Sequence, residues 1–510
     1  MIISQFVLVC LAASSGKYES HGIKIISRNK NGGREQVFSV VDPLNDPNQG
    51  SINNTRKRWQ TTNLPTVVNA LQSALRSTFL PVGFPMKTPP GYLKYSFWSW
   101  CQDLSTQLRS VLATQRVLEG VGVGREGATA LSALISFIVR DGCGMAATLL
   151  FTSAASSRFR TDVKRWRLFA DIMVDIGITL EVMSTASFVP GSFFLPMISL
   201  GTCCKAICGV AAGATGGRIN LHWARNGDIS DINAKFGAQH TVTGAIGLVV
   251  SAAFAKSVSN VNAARMFILY SVLTLLHVFA NMQCMRLLAF DSLNRTRMDL
   301  ILREFFHHWE KLWNPENPTS TIANKDIPIS NPFEVAKKEP LFFGIWAREK
   351  KLIFFGDSYD AFSTRKSSRY LSEDDGWIQS SALTLASATG NTTGANSNEN
   401  YLISSGLTKE RWGNRGRPCV TVVFGENSSP TNEAKAFLHA RILARKLSEI
   451  KVLDSENFAK EQGMKMDDAE AKARAELDAS WAKFQSSCSN HGWDLSKTEL
   501  QTLGYEVMIS

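Results

Sequence analysis

Asp171 and Asp175 stand four residues apart in "KRWRLFADIMVDIG", on one helical face among apolar neighbours. An unpaired carboxylate is costly in such surroundings, so both should find basic partners. Asp231, Lys235 and Gln239 repeat the four-residue spacing further along, with His222 and Arg225 just ahead of them. Asp171 and Asp175 could meet this second set across helices. A connected polar network would then fix helix register, or bind something small and charged. Ionisable residues at membrane depth usually mark a pathway or a site.

Other chemistries are weaker in the sequence. Ser358 in "KLIFFGDSYD" sits where a GDS-type esterase would place its nucleophile. That chemistry needs a histidine held by a carboxylate, and neither His439 nor His491 has the expected aspartate three residues ahead. Cys203, Cys204 and Cys208 lack the two separated ligand pairs of a metal site and read as small core residues. His307 and His308 lie near Glu304 and Glu310 on what reads as a wet helical face. No metal site and no catalytic residue is assigned. Gly122, Gly124 and Gly127 follow a helical pattern rather than a strand, so they read as a joint between helices, not a dinucleotide loop. "VAAGATGGR" lacks the Lys-Ser/Thr of a phosphate loop. Its Gly209, Gly213 and Gly217 recur every four residues, a spacing that lets membrane helices pack closely.

These residues need helices to hold them. The 510-residue chain is 44% hydrophobic and carries a net charge of +11. Without a zinc-finger spacing, an aromatic RNA-binding pattern or a long basic run, that charge suits anionic lipid better than nucleic acid. The nine cysteines form no regular framework and read as reduced thiols. Residues 1–16 form an apolar N-terminus of signal-peptide or anchor type, and 17–60 a loose polar lead-in.

Residues 61–312 are helical in pattern throughout. Runs 236–255 and 266–285 are each long enough to span a bilayer and are joined by a short polar loop, so 236–285 is expected to be a transmembrane hairpin. Arginines and lysines flank it, which places both ends on the cytoplasmic side. Pro190 and Pro196 should break or kink another uncharged run, 182–204. The basic run Arg158, Arg160, Lys164, Arg165 and Arg167 reads as lipid-facing or as a solvated face. His240, His277, Asn281 and Gln283 speak for a soluble bundle instead. Residues 313–335 read as a proline-rich linker, and 336–510 as a smaller α+β domain with a flexible insertion at 380–400. The expected fold class is thus a mainly α, multi-helix, membrane-associated core followed by a smaller α+β domain.

"LATQRVLEGVGVG", "VRDGCGM", "KRWRLFADIMVD" and "GVAAGATGGRINLHWARNGDISDINAKFGAQ", in that order, resemble the root UV-B sensitive (RUS) protein family. The resemblance runs from about residue 79 to 294 and more weakly into the C-terminal domain, as in an animal-type member. It implies a membrane-associated helical core, a partnership with a paralogue or a second copy, and, from plant members, links to UV-B response, auxin transport and vitamin B6 homeostasis. It supplies no catalytic residues. Asp141, Asp171, Asp175, His222, Arg225, Asp231, Lys235 and Gln239 match the family pattern; Gly216 and His240 depart from it, where members often carry arginine and glutamate. The expected function is a non-enzymatic scaffold or transport-related factor at a membrane whose organelle the sequence does not specify. The alternative is a binder of a pyridoxal phosphate-like ligand, with Lys235 for the aldehyde and Arg225 for the phosphate. It is motivated by the family's vitamin B6 association alone.

Overall fold

The computed structural model describes residues 24–27, 36–39, 64–122, 130–159, 161–224, 227–258, 263–313, 326–341, 353–355, 401–408, 417–425, 428–449, 458–500 and 506–507. Residues 1–16, most of 17–60, Gly124, Gly127, Arg160, Arg225, Ser358 and the 380–400 stretch lie outside them. The chain divides into two compact units, residues 1–82 and 83–510. The first holds an antiparallel pair, β1 (Lys24–Ser27) and β2 (Gln36–Ser39), and helix α1 (Leu64–Phe79).

The second unit opens with six long helices: α2 (Tyr92–Gly120), α3 (Ala130–Ala155), α4 (Val163–Met183), α5 (Phe194–Trp223), α6 (Ile229–Val258) and α7 (Ala263–Leu287). Gly122, at φ +89°, takes the left-handed turn just past α2 that a side chain would resist. Pro196 falls in the first turn of α5, where the missing N–H has no intrahelical partner to lose, so α5 runs unbroken past it. The break lies earlier, at Ser184–Pro190.

Four helices are long and apolar enough to cross a membrane: Ala130–Ala155, Gly191–Trp223, Ile229–Lys256 and Arg265–Leu287. The sequence-expected hairpin supplies two of these. Its helices α6 and α7 both pack on α2, which accounts for most of their contacts. At this contact Gly247 of α6 lies against the end of the Gln107 side chain of α2, which a Cβ would displace.

α4 and α5 cross closely through glycines, though not those expected. A Cβ on Gly177 would stand 2.6 Å from the Gly201 carbonyl oxygen, and one on Gly201 would stand 2.8 Å from that of Gly177. Gly209, Gly213 and Gly217 have nothing within 4 Å of such a Cβ. Among the described residues the packing expected of them is therefore not made, although α3 and α4 both pack on α5.

The C-terminal part is built on β5 (Arg417–Gly425). β4 (Tyr401–Thr408) pairs with it antiparallel, while β3 (Ile353–Phe355) and β6 (Glu506–Val507) pair with it in parallel. α8 (Arg295–Leu312), α9 (Pro332–Lys338), α10 (Pro430–Glu449) and α11 (Phe458–Asn490) complete it. Met298, Ile301, Phe305 and Trp309 of α8 share one apolar core with Val420, Phe424, Phe437 and Phe484. α8 and the end of the expected linker, with buried Ile327 and Ile329, thus pack with the C-terminal core.

Candidate functional site

The face of α4 opposite its glycine crossing carries the two aspartates. Positions 175 and 177 lie about 200° apart on a helix, so seating Gly177 on α5 turns Asp175 toward α2 and α7. The Arg109 guanidinium of α2, with no solvent exposure, donates from Nη1 to Asp175 Oδ1 at 2.5 Å. His277 of α7 brings Nδ1 to 2.9 Å from Oδ1 and 3.0 Å from Oδ2 of the same carboxylate. Arg109 also donates to the Ser105 carbonyl at 3.3 Å and to the Thr106 hydroxyl at 3.4 Å. One turn earlier, Asn281 of α7 donates to Asp171, and Arg167 Nε lies 3.4 Å from it. Three helices are thereby pinned by two carboxylates whose charge is met by cations and neutral donors. The same carboxylates left alone would be expelled from such an interior.

The expected partners of Asp171 and Asp175 were His222 and Arg225. Arg225 lies outside the described residues, and His222 packs its ring against Trp223 and Phe290, at centroid distances of 4.9 and 5.1 Å. Besides Arg167, the actual partners are Arg109, His277 and Asn281, none of which the sequence reading assigns to the aspartates. Arg109 sits in a helix of ordinary amphipathic appearance. His277 and Asn281 looked like evidence against a membrane helix, yet within an apolar run they were the signal of a carboxylate partner.

Of the second set, one pair lies within its own helix and one side chain reaches another helix. Lys235 Nζ lies 3.2 Å from Asp231 Oδ1, one turn away on α6. Gln239 donates to the Tyr92 hydroxyl at 3.1 Å. Asp141 stands apart on α3, half-exposed beside Arg140 at 2.8 Å. Between the Asp171 cluster and Gln239 opens a cleft of about 260 Å³, whose walls include Tyr95, Trp100, Asp103, Arg167, Phe236 and His240. His240 Nδ1 is 3.4 Å from Asp103 Oδ2.

A third charged cluster joins the helices to the C-terminal part. Lys164, at the start of α4, lies 2.7 Å from Glu339 Oε2, and Arg297 Nε lies 3.2 Å from Glu339 Oε1. All three side chains are buried. Burial alone would raise the Glu339 carboxyl, but Arg297 and then Lys164 outweigh it and hold it down at about 2. Burial pushes the Lys164 amine down to about 8 against the pull of Glu339. Asn294 donates to Asp162 at 3.1 Å, and Arg218 pairs with Glu499. Arg165 donates to the Pro340 carbonyl at 3.3 Å. Lys164, Arg165 and Arg167 of the basic run expected to face lipid or solvent therefore have partners within the protein: Glu339, the Pro340 carbonyl and Asp171.

The remaining tempting motifs find ordinary partners. His439 Nδ1 lies 3.4 Å from the Tyr401 hydroxyl and His491 Nδ1 2.8 Å from the Ser487 carbonyl. Glu304 accepts from Ser330 and Lys338 rather than meeting the His307–His308 pair.

This architecture defines a multi-helix protein with four span-length apolar helices, charge buried between helices, and an α+β C-terminal part. Residues 66–309 match the family described as the vitamin B6 photo-protection and homoeostasis domain, and residues 393–503 match the root UVB sensitive protein C-terminal family. The chain belongs to the root UVB sensitive (RUS) family. It is 31% identical over 278 residues to RUS family member 1 of Dictyostelium discoideum, covering 52% of each chain. It is 34% identical over 242 residues to protein root UVB sensitive 3 of Arabidopsis thaliana, covering 48% of this chain and 54% of that one. To the Arabidopsis protein root UVB sensitive 2, chloroplastic, it is 29% identical over 297 residues, covering 55% and 66%. The chain spans about half the length of the first two of these relatives. No solved structure matches it.

Proposed function

We propose that this chain is an integral membrane protein that acts, without enzymatic chemistry, as a scaffold or transport-related factor in vitamin B6 homeostasis. One observation carries the reading: the span-length helices turn apolar side chains outward, while the charge lies inside, on α2 and α4 and at His277 of α7. Leu134, Ile138, Leu149, Leu248 and Leu275 are exposed, while Arg109, Asp175 and His277 are buried. Hydrocarbon as solvent favours that arrangement and water does not. The vitamin B6 context comes from the family description of residues 66–309. Membrane lipids are the immediate partners, and a paralogue or second copy is the expected protein partner.

Alkaline carbonate extraction of membranes from cells expressing the tagged protein tests this. Retention in the pellet is expected; release into the supernatant overturns the integral reading. The pyridoxal phosphate alternative has weaker support, because the Lys235 amine lies against Asp231 and is not part of the cleft wall. Mixing with pyridoxal phosphate should leave its absorbance unchanged.

A further inference from the structure

We propose that the cleft between α2, α4 and α6 binds one small nitrogen-heteroaromatic ring bearing hydroxyl groups and no phosphate. The inference deepens the vitamin B6 reading by assigning a site and a ligand class. Size comes first: about 260 Å³ lies just below the usual range of ligand pockets and admits no more than a single substituted ring. The walls come second. Tyr95 and Phe236 pack edge to face on each other, centroids 6.0 Å apart, and line the cleft together with Trp100. Such faces hold a flat ring by stacking and edge contacts.

The polar groups select the substituents. Asp103 is a carboxylate whose imidazole neighbour lies at the long distance of 3.4 Å, so a ring N–H can compete for it. A carboxylate against a ring nitrogen is the usual protein partner of a pyridinium. Arg167 and Gln239 supply N–H groups suited to ring hydroxyls. Charge excludes the phosphate ester. Arg167 already faces Asp171 at 3.4 Å, and Asp103 adds a second negative charge nearby. A dianion would meet two carboxylates with one guanidinium and one exposed imidazole to offset them, where phosphate sites gather several N–H donors and cations.

The test is equilibrium dialysis of the purified full-length chain in detergent with labelled pyridoxine, and with pyridoxal 5′-phosphate as competitor. Saturable binding at one site is expected, with the phosphate ester at least about tenfold weaker. This comparison needs no variant. Trp100→Ala and Asp103→Asn should each weaken binding by about tenfold. Ser99→Trp, which fills the cleft, should abolish it, while Lys235→Ala outside the wall leaves it unchanged. Absence of saturable binding, tighter binding of the phosphate ester, or binding that survives Ser99→Trp in a chain of unchanged thermal midpoint overturns the proposal. Carbonate extraction separates the two readings. A released chain that binds pyridoxine loses the membrane and keeps the site; a pelleted chain that binds nothing does the reverse.

Discussion

Helices α3 and α10 are both rich in apolar residues, and they place them oppositely. On α3, Met145, Leu149 and Leu150 are at least 70% exposed. On α10, Ala436, Leu438, Ala440, Ile442 and Leu443 are wholly buried, and the arginines face outward to partners such as Asp299 and Glu310. The same contrast holds between the regions. The helical bundle hides Arg109, Asp171 and Asp175, while the C-terminal core hides Phe305, Phe437 and Phe484. With the span-length helices facing lipid, as proposed above, two solvents explain it. A water-facing fold gains by burying carbon, whereas a lipid-facing one gains nothing from doing so and must instead satisfy its charges internally.

The largest expected effect breaks the hidden charge. Asp175→Ala strands Arg109 and His277 and should cost about 3–5 kcal/mol, read as a lowered thermal midpoint of the purified chain. Joint replacement by Arg109→Met and Asp175→Leu should restore most of the loss, because an apolar pair carries no uncompensated charge. An Asp175→Ala chain as stable as the original would mean that water reaches the cluster, and the contrast between the regions would fail.

The contrast sharpens on the outer face. Leu149→Arg on α3 puts a charge where lipid is expected and should cost about 2.5–3.5 kcal/mol at mid-membrane depth, read as reduced insertion. In water the same exposed position would tolerate it within about 0.5 kcal/mol. Full insertion and unchanged stability would identify α3 as water-facing.

The junction between the regions should respond to acid. Glu339 is held at about 2, below its ordinary 4.5, so its contribution to stability is complete above pH 4.5 and fades as pH falls toward 2. The shift corresponds to at most about 3–4 kcal/mol. Thermal midpoints of the intact chain between pH 5 and 2 should show this step, and Glu339→Gln should lack it. A wild-type chain without the step would mean that Glu339 is not held by Lys164 and Arg297 in solution.

The sequence showed much of the scaffold and little of the wiring. Long uncharged runs predicted the apolar helices α6 and α7, and the change of texture after residue 336 predicted a separate α+β part, because each depends on local periodicity. Asp171 and Asp175 were correctly expected to have basic partners, since burial cost alone requires it. Which partners they have depends on how α4 rotates against α5, and that is set by Gly177 and Gly201, two glycines with no repeat to mark them. Likewise, the basic run at 158–167 reads as a lipid-facing surface until Glu339, some 170 residues later in the chain, is seen to lie against it.

The smallest expected effect distinguishes used from unused glycines on α5. Gly209→Ala and Gly213→Ala meet open space within the chain and remove glycine from a helix interior, so each should stabilise by about 0.5–1 kcal/mol. Gly201→Ala should instead destabilise, because its new methyl would press on the Gly177 backbone oxygen. Oligomeric state in detergent decides what the open stripe is for. If a second helix from another copy packs there, the 209 and 213 substitutions will weaken the assembly while leaving the single chain intact. If the stripe faces lipid alone, the assembly will not change, and among the described residues the crossing with α4 is where glycine packing on α5 matters.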